Sequence, residues 1–379
     1  MKRVLLLMLT VLMVVSLVAC GSPEPAAVED TTPAAQEEVV ADDTTDEVPY
    51  IAIISKGFQH KFWQTVLSGA EAAAADYGVE MTFDGPPSES DIAIQVDMVN
   101  AALAKNPAAL CLAALDTESL NEQLNTCLDK GIPVIGFDSG VPNAPEGSIV
   151  ATASTDNAAA GAVAADEMFK AESVAAAIAG ATVDAPIVIS VISQDATSAS
   201  ITGRTDGFVD KMFELCDGAQ PGLVAVTGHD KWNKASTSGD VAVEILVSIA
   251  ATTSVADCQT AAQAVLQKAP VGVFCTNSGS VDGMLAATTD GSDLDRETGK
   301  YKGMVVIGFD SGLTLLNAIT EEWFYGAITQ DPYMIGYLAV ELAVKSLNGE
   351  TVDTLVDTGA KFYDKNNMEE PDIAALLYE

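Results

Sequence analysis

One phrase occurs twice in this chain. Gly131-Ile-Pro-Val-Ile-Gly-Phe-Asp-Ser-Gly140 returns as Gly303-Met-Val-Val-Ile-Gly-Phe-Asp-Ser-Gly312. Each copy is a short apolar, β-branched run that stops on an aspartate followed by small residues. Such a run reads as a buried parallel strand that delivers Asp138 or Asp310 to the carboxyl edge of its sheet. Ligands of open α/β sheets bind at that edge. A lone strand-end Asp commonly caps a helix or holds a turn. Two of them, 172 positions apart in matching contexts, point to two similar lobes that share one site.

The rest of the chain fits that scheme. At 379 residues it exceeds one ordinary core, so two domains are expected. Tyr50–Ser55 reads as the first strand and the residues from Lys56 to Lys61 as the loop leaving it. A helix then opens on Phe62 and Trp63 and stops at Gly78. Another runs from about Ser90 to Lys105, followed by the strand Ala109–Ala113, which leads to Asp116, and a helix from Thr117 to Lys130. Past Asp156 come an alanine-rich helix over 157–170 and the strand Ile187–Ser193. A loop from Gln194 to Ser200 leads to a helix carrying Arg204 and Phe208. Residues 217–240 read as an inserted surface loop. Strands are predicted over 241–250 and 271–277, the second ending on Asn277, with a helix over 257–268 between them. After the second copy of the phrase, Ala327–Gln330 runs into Asp331-Pro332, where a helix starts with Pro in its first turn. Alternating strands and helices at this spacing give doubly wound parallel sheets.

Several function classes are excluded at this stage. No Gly-x-Gly-x-x-Gly or Walker-type motif follows any strand, so no nucleotide cofactor is expected. The two histidines, His60 and His229, make no metal set. A net charge of −36 opposes nucleic acid and anionic membrane surfaces as partners. At the first lobe's edge, adjacent Phe62 and Trp63 point about 100° apart on a helix, so one of them is expected to leave the core and line the cleft. An aromatic ring beside carboxylates suits a sugar, whose C–H face packs on the ring while its hydroxyls need acceptors.

The N-terminus reads as an address. Lys2 and Arg3 precede an apolar run from Val4 to Ala19, too short for a lasting membrane span, and it ends in Leu17-Val-Ala-Cys20. This resembles a bacterial lipoprotein signal over residues 1–19, with Cys20 as the lipidation site. Residues 20–48 are rich in Pro, Ala, Thr, Asp and Glu and are expected to form a self-repelling tether of about 30 Å or more. Of the five remaining cysteines, Cys111 and Cys275 sit in apolar runs, and Cys216 with Cys258 is a possible disulfide that the sequence leaves open.

The chain resembles the type I periplasmic solute-binding proteins of ABC importers, in the ribose-, galactose- and xylose-like branch. The carriers are His60-Lys-Phe-Trp63, Asp84-Gly-Pro-Pro-Ser-Glu89, Ile132-Pro-Val-Ile-Gly-Phe-Asp138, Arg204-Thr-Asp-Gly-Phe208, Val305-Val-Ile-Gly-Phe-Asp310 and Gln330-Asp-Pro-Tyr333, over residues 50–379. The resemblance implies two Rossmann-like lobes joined by three hinge strands. Lobe 1 would hold 49–155 and 331–357, and lobe 2 would hold 156–330 and 358–379. Ligand contacts would fall on Ser55, Phe62, Trp63 and Asp138 in lobe 1 and on Asn277, Asp310 and Gln330 in lobe 2. Where ribose-type members carry other residues, this chain has Ala113, Ser139, Thr202 and Thr253. Lys56, His60, Asp116 and Thr276 are the candidates to replace the lost contacts, and Arg204 matches an arginine read as structural. The expectation is a monomeric, lipid-anchored, non-enzymatic protein that hands a small polyhydroxylated ligand to a permease. A nucleoside-binding lipoprotein and a ligand-presenting sensor subunit are the alternatives. An extracellular glycosidase would use two carboxylates but lacks the rest of an active site here. A regulator of the same fold would need a basic helix-turn-helix.

Overall fold

The computed structural model describes residues 48–58 and 60–379; the expected signal segment, Cys20 and the tether lie outside them. The chain begins β1 (Tyr50–Ile54), α1 (Lys61–Tyr77), β2 (Glu80–Asp84), α2 (Ile92–Leu103), β3 (Ala109–Leu112), α3 (Asn121–Lys130), β4 (Val134–Phe137) and β5 (Ala151–Ser154). It continues with α4 (Asn157–Lys170), α5 (Glu172–Gly180), β6 (Ile187–Ser193), α6 (Ala199–Ala219), β7 (Val224–Thr227) and β8 (Val243–Ile249). Then come α7 (Val255–Leu266), β9 (Gly272–Cys275), α8 (Ser278–Ala287), β10 (Val305–Phe309), α9 (Leu313–Thr320) and β11 (Gly326–Gln330). It closes with α10 (Pro332–Leu347), β12 (Leu355–Asp357), β13 (Ala360–Tyr363) and α11 (Pro371–Ala374).

These elements form two sheets, ordered β12-β5-β4-β3-β1-β2 and β13-β11-β10-β9-β6-β8-β7. All pairs are parallel except β11 with β13. Both copies of the repeated phrase occupy the same place, as β4 and β10, so both aspartates leave carboxyl edges of the same topology. The α/β fold with two parallel-sheet lobes is therefore the one expected. The chain passes from the first sheet to the second after β5, returns after β11, and passes again after β12. These crossings are bound together. Thr155 Oγ1 donates to Gln330 Oε1 (3.0 Å), and Asp357 Oδ1 accepts from the N–H groups of Asp156 (2.9 Å) and Gly359 (2.8 Å).

Period-2 alternation along each strand builds a core on both faces of each sheet. In the first lobe, Ile51 and Ile53 face α1 and α10, while Ala52 and Ile54 face α2 and α3. In the second, Val305 and Ile307 face α4, α5 and α6, while Val306 faces α7, α8 and α9. Cys216 on α6 and Cys258 on α7 thus lie on opposite faces of one sheet. They form no disulfide, and all five described cysteines are buried free thiols.

Several strands lay outside the sequence expectation, β13 among them. β2 is a half-exposed edge strand whose mixed polarity hides its period. β7 lies inside the segment expected to be a surface loop, where it pairs with β8 at the sheet edge. That segment also buries Trp232, whose Nε1 donates to Asp206 (2.5 Å), so part of it belongs to the second core.

Both lobes bring one helix pair into backbone contact through glycine. A Cβ on Gly336 of α10 would collide with the Val66 carbonyl of α1, and one on Gly69 would strike the Tyr333 carbonyl. Gly161 of α4 and Gly207 of α6 repeat the arrangement. Gly336→Ala is expected to lower stability by about 2 kcal/mol through overpacking, read as a reduced urea midpoint with unchanged slope.

Candidate functional site

The carboxyl edges of the two sheets face each other around a tight, partly open space of ≈ 20 Å³, room for about one water, lined by Lys56, His60, Phe62, Trp63, Glu89, Asp138, Ile201, Arg204, Asn277, Asp310 and Gln330. Asp138 and Asp310 both adopt left-handed backbone, at φ 54° and 77°. That region is costly for residues other than glycine and least so for Asn and Asp. The same turn at both strand ends carries each carboxylate off its strand and toward the space between the lobes.

The two aspartates are held differently. Asp310 is fully engaged. Its Oδ1 accepts from Gln330 Nε2 (2.8 Å), and its Oδ2 accepts from the backbone N–H and hydroxyl of Ser278 (both 3.0 Å) at the start of α8. Arg204 approaches Oδ1 at 3.9 Å, while its own N–H groups bond the Thr276 carbonyl (3.0 Å) and Asn157 (2.8 Å) and its guanidinium lies 3.7 Å from the Phe309 ring centre. Asp138 has the Lys56 ammonium 3.2 Å from Oδ2, but this buried oxygen receives no hydrogen bond. Unused acceptor capacity in the space therefore concentrates on Asp138.

Lys56 also reaches the opposite lobe, donating to Ser200 Oγ at 3.0 Å. Burial acts against its charge, but the carboxylates of Asp138, Glu89 and Asp195 more than offset this, so its pKa lies above the usual lysine value. Burial likewise acts against the Glu89 carboxylate. The Lys56 and His60 charges and the hydrogen bonds from Trp63 and Gln194 outweigh it, leaving Glu89 below the usual carboxylate range.

Of the residues expected at the site, Lys56, His60, Phe62, Trp63, Asp138, Asn277, Asp310 and Gln330 are brought together. Ser55 is buried behind the space, its hydroxyl directed at the Gly57 and Asp84 carbonyls (both 3.2 Å). Asp116 stands apart, where its Oδ1 accepts the N–H groups of Glu118 (3.0 Å) and Ser119 (2.7 Å) and fixes a turn. That is the ordinary task of a strand-end Asp. Thr276 contributes its carbonyl to Arg204 and does not line the space.

Phe62 and Trp63 correct a geometric expectation. Both belong to the first-lobe core and both line the space. Their rings meet edge to face at 5.0 Å, and Trp63 meets Phe137 at 6.3 Å, so two large rings converge across the 100° between their backbone positions. Arg204, read as structural, lines the space. Glu89 and Ile201 were missed as lining residues, and Gln194 as the partner that bonds Glu89 and Asn277 behind the space. Glu89 sits in the irregular turn between β2 and α2, and only its place in the Gly-Pro-Pro-Ser-Glu motif marked it.

The chain belongs to the periplasmic binding protein domain family, which matches residues 51–351. It is also similar to solved structures. One is described as an ABC transporter, LacI family transcriptional regulator from Brachyspira murdochii, at 42% identity over 88% of this chain and 99% of that one, TM-score 0.72. A second is an ABC transporter solute-binding protein from Agrobacterium vitis with bound D-fucose, at 27% identity over 87% and 100%, TM-score 0.71. A third is a carbohydrate transporter solute-binding protein from Agrobacterium radiobacter in complex with D-arabinose, at 27% identity over 87% and 99%, TM-score 0.68.

A carboxyl group with a depressed pKa stabilises the fold above its unfolded pKa, and that contribution is lost as pH falls through its folded value. Glu89→Gln should therefore cost about 1–3 kcal/mol at pH 7, with the difference from the native protein narrowing below about pH 4. Urea midpoints of both proteins between pH 3 and pH 7 check this.

Proposed function

We propose that this protein is an extracytoplasmic solute-binding protein that closes its two lobes on a monosaccharide and delivers it to an ABC permease. One observation carries the reading: a partly open space between the lobes, lined by buried carboxylates, amides and cations that surround the Phe62–Trp63 rings. A pyranose or furanose offers what that lining takes, hydroxyl protons for Asp138, ring oxygens and hydroxyl lone pairs for Lys56 and Arg204, and a C–H face for an aromatic ring. Asp310, Asn277 and Gln330 are tied to one another's neighbours before any ligand arrives and act as a rigid floor. The sugars named with the two Agrobacterium proteins support this ligand class. No catalytic step is assigned. Glu89, Asp138 and Asp310 are each committed to a cation or to hydrogen-bond donors, and a binding role accounts for all three.

Attachment follows from the N-terminal segment. Lipid on Cys20 and the acidic tether behind it would hold the lobes near the outer face of the cell membrane; among the described residues no helix is long and apolar enough to cross one.

Two measurements test these readings. In a thermal-shift panel of pentoses, hexoses, polyols and nucleosides that includes D-fucose and D-arabinose, a sugar at 100 times its Kd should stabilise the protein by about 2.7 kcal/mol. Asp138→Ala should weaken that sugar by about 2–5 kcal/mol. A panel in which only nucleosides register overturns the sugar class. In detergent-phase partitioning of cells making the full chain, native protein should enter the detergent phase and Cys20→Ser should leave it; equal partitioning sinks the anchor.

A further inference from the structure

The turn between β2 and α2 reaches across the cleft with three successive side chains. Ser88 Oγ lies 3.4 Å from Thr253 Oγ1; Ser90 Oγ lies 3.0 Å from the same hydroxyl and accepts the Thr253 N–H at 2.9 Å. Between them Glu89 accepts from two lobes at once. Its Oε1 takes the Trp63 indole N–H (2.8 Å) and its Oε2 takes Gln194 Nε2 (2.8 Å). Gln194 Oε1 in turn accepts from Asn277 Nδ2 (2.6 Å), whose Oδ1 accepts the Ser280 N–H (3.1 Å) at the start of α8. The result is one buried chain, Trp63–Glu89–Gln194–Asn277, that crosses from lobe 1 to lobe 2 beside the space between the lobes. Gly279 makes room for it, since a Cβ there would collide with Gln194 Oε1.

We propose that Ser88-Glu89-Ser90 is the latch of the closed state and that Glu89 is a positioning residue, one carboxylate that fixes the Trp63 ring and docks Gln194, so that closing the lobes and placing the ring are a single event. This rests on the reading that the lobes close on a sugar, and it deepens that reading. The chemistry of the chain is specific. A carboxylate accepts at both oxygens, whereas an amide accepts at one and donates at the other. Glu89→Gln therefore leaves either Trp63 or Gln194 facing the wrong group. The exchange Glu89→Gln with Gln194→Glu restores a complete pattern: indole to Gln oxygen, Gln amide to Glu oxygen, and Asn277 amide to the other Glu oxygen. Total charge is unchanged.

Stopped-flow binding of the tightest sugar from the panel reads the latch directly. Glu89→Gln and Gly279→Ala should each raise the dissociation rate about tenfold, with association changed less than about threefold. The double exchange should recover the native rate to within about threefold. A double exchange no better than Glu89→Gln alone overturns the proposal. A second readout separates this from the ligand question. The Trp63 indole N–H resonance, identified by its loss in Trp63→Phe, should move in Gly279→Ala, a change on the opposite lobe that touches neither Trp63 nor Glu89. If that resonance moves while no member of the panel binds, the lobes close without a sugar: the latch stands and the sugar reading fails. If it stays put with the tightest sugar bound, the latch fails.

Discussion

A buried ammonium with obligations to two lobes sets the terms for this structure. Lys56 leaves the carboxyl end of β1, lies within 3.2 Å of Asp138 in its own lobe and bonds Ser200 in the other at 3.0 Å. An unpaired charge at that depth would cost several kcal/mol. The surrounding carboxylates keep it charged, and each must in turn be satisfied: Glu89 by Trp63 and Gln194, Asp138 by Lys56 with capacity to spare. The charges named pair within their own lobe, and hydrogen bonds to Ser200 and from Gln194 complete them across the cleft. A water-filled cleft would relax that arrangement, and a ligand with several hydroxyls would share in it.

The fold was legible because the strands that matter are buried on both sides and written in β-branched residues. The duplicated phrase located β4 and β10, and their Asp termini located half of the site. Asn277 could be read for the same reason, following a central strand, whereas Gln330 was marked by the family resemblance. Edge strands carry no such signal. β2 is half exposed, and β7 is four residues long in a stretch dense in Gly, Ser and Asp. Side-chain destinations were less legible than positions. Asp116 ends a strand as Asp138 does, yet a local turn claims it. Arg204 was read as structural from the family arginine it matches, but the first turns of α6 also face the cleft. Glu89 and Gln194 belong to irregular turns, where no period tells which way a side chain points and where the partner is more than one hundred residues away.

The two halves of the site differ in what they have left to give. Asp310 is locked to the start of α8, to Gln330 and through it to Thr155 at the crossing strands. A load on Asp310 is therefore felt where the chain changes lobes. Asp138 has the Lys56 ammonium beside it and an oxygen that takes no hydrogen bond. One carboxylate is built to hold shape and the other to respond, although both come from the same ten-residue phrase. Duplication of a sequence has not produced duplication of a task.

The order in which the chain supplies its parts has a consequence for its birth. The first lobe's inner face, with Ile51, Ile135 and Phe137, is covered by α10, and its sheet ends on β12. The second lobe's sheet ends on β13. Neither body can be finished until nearly the whole polypeptide exists, so an emerging chain has no early domain to fold into. A chain that crosses a membrane unfolded would need such delay, and here it is written into the topology.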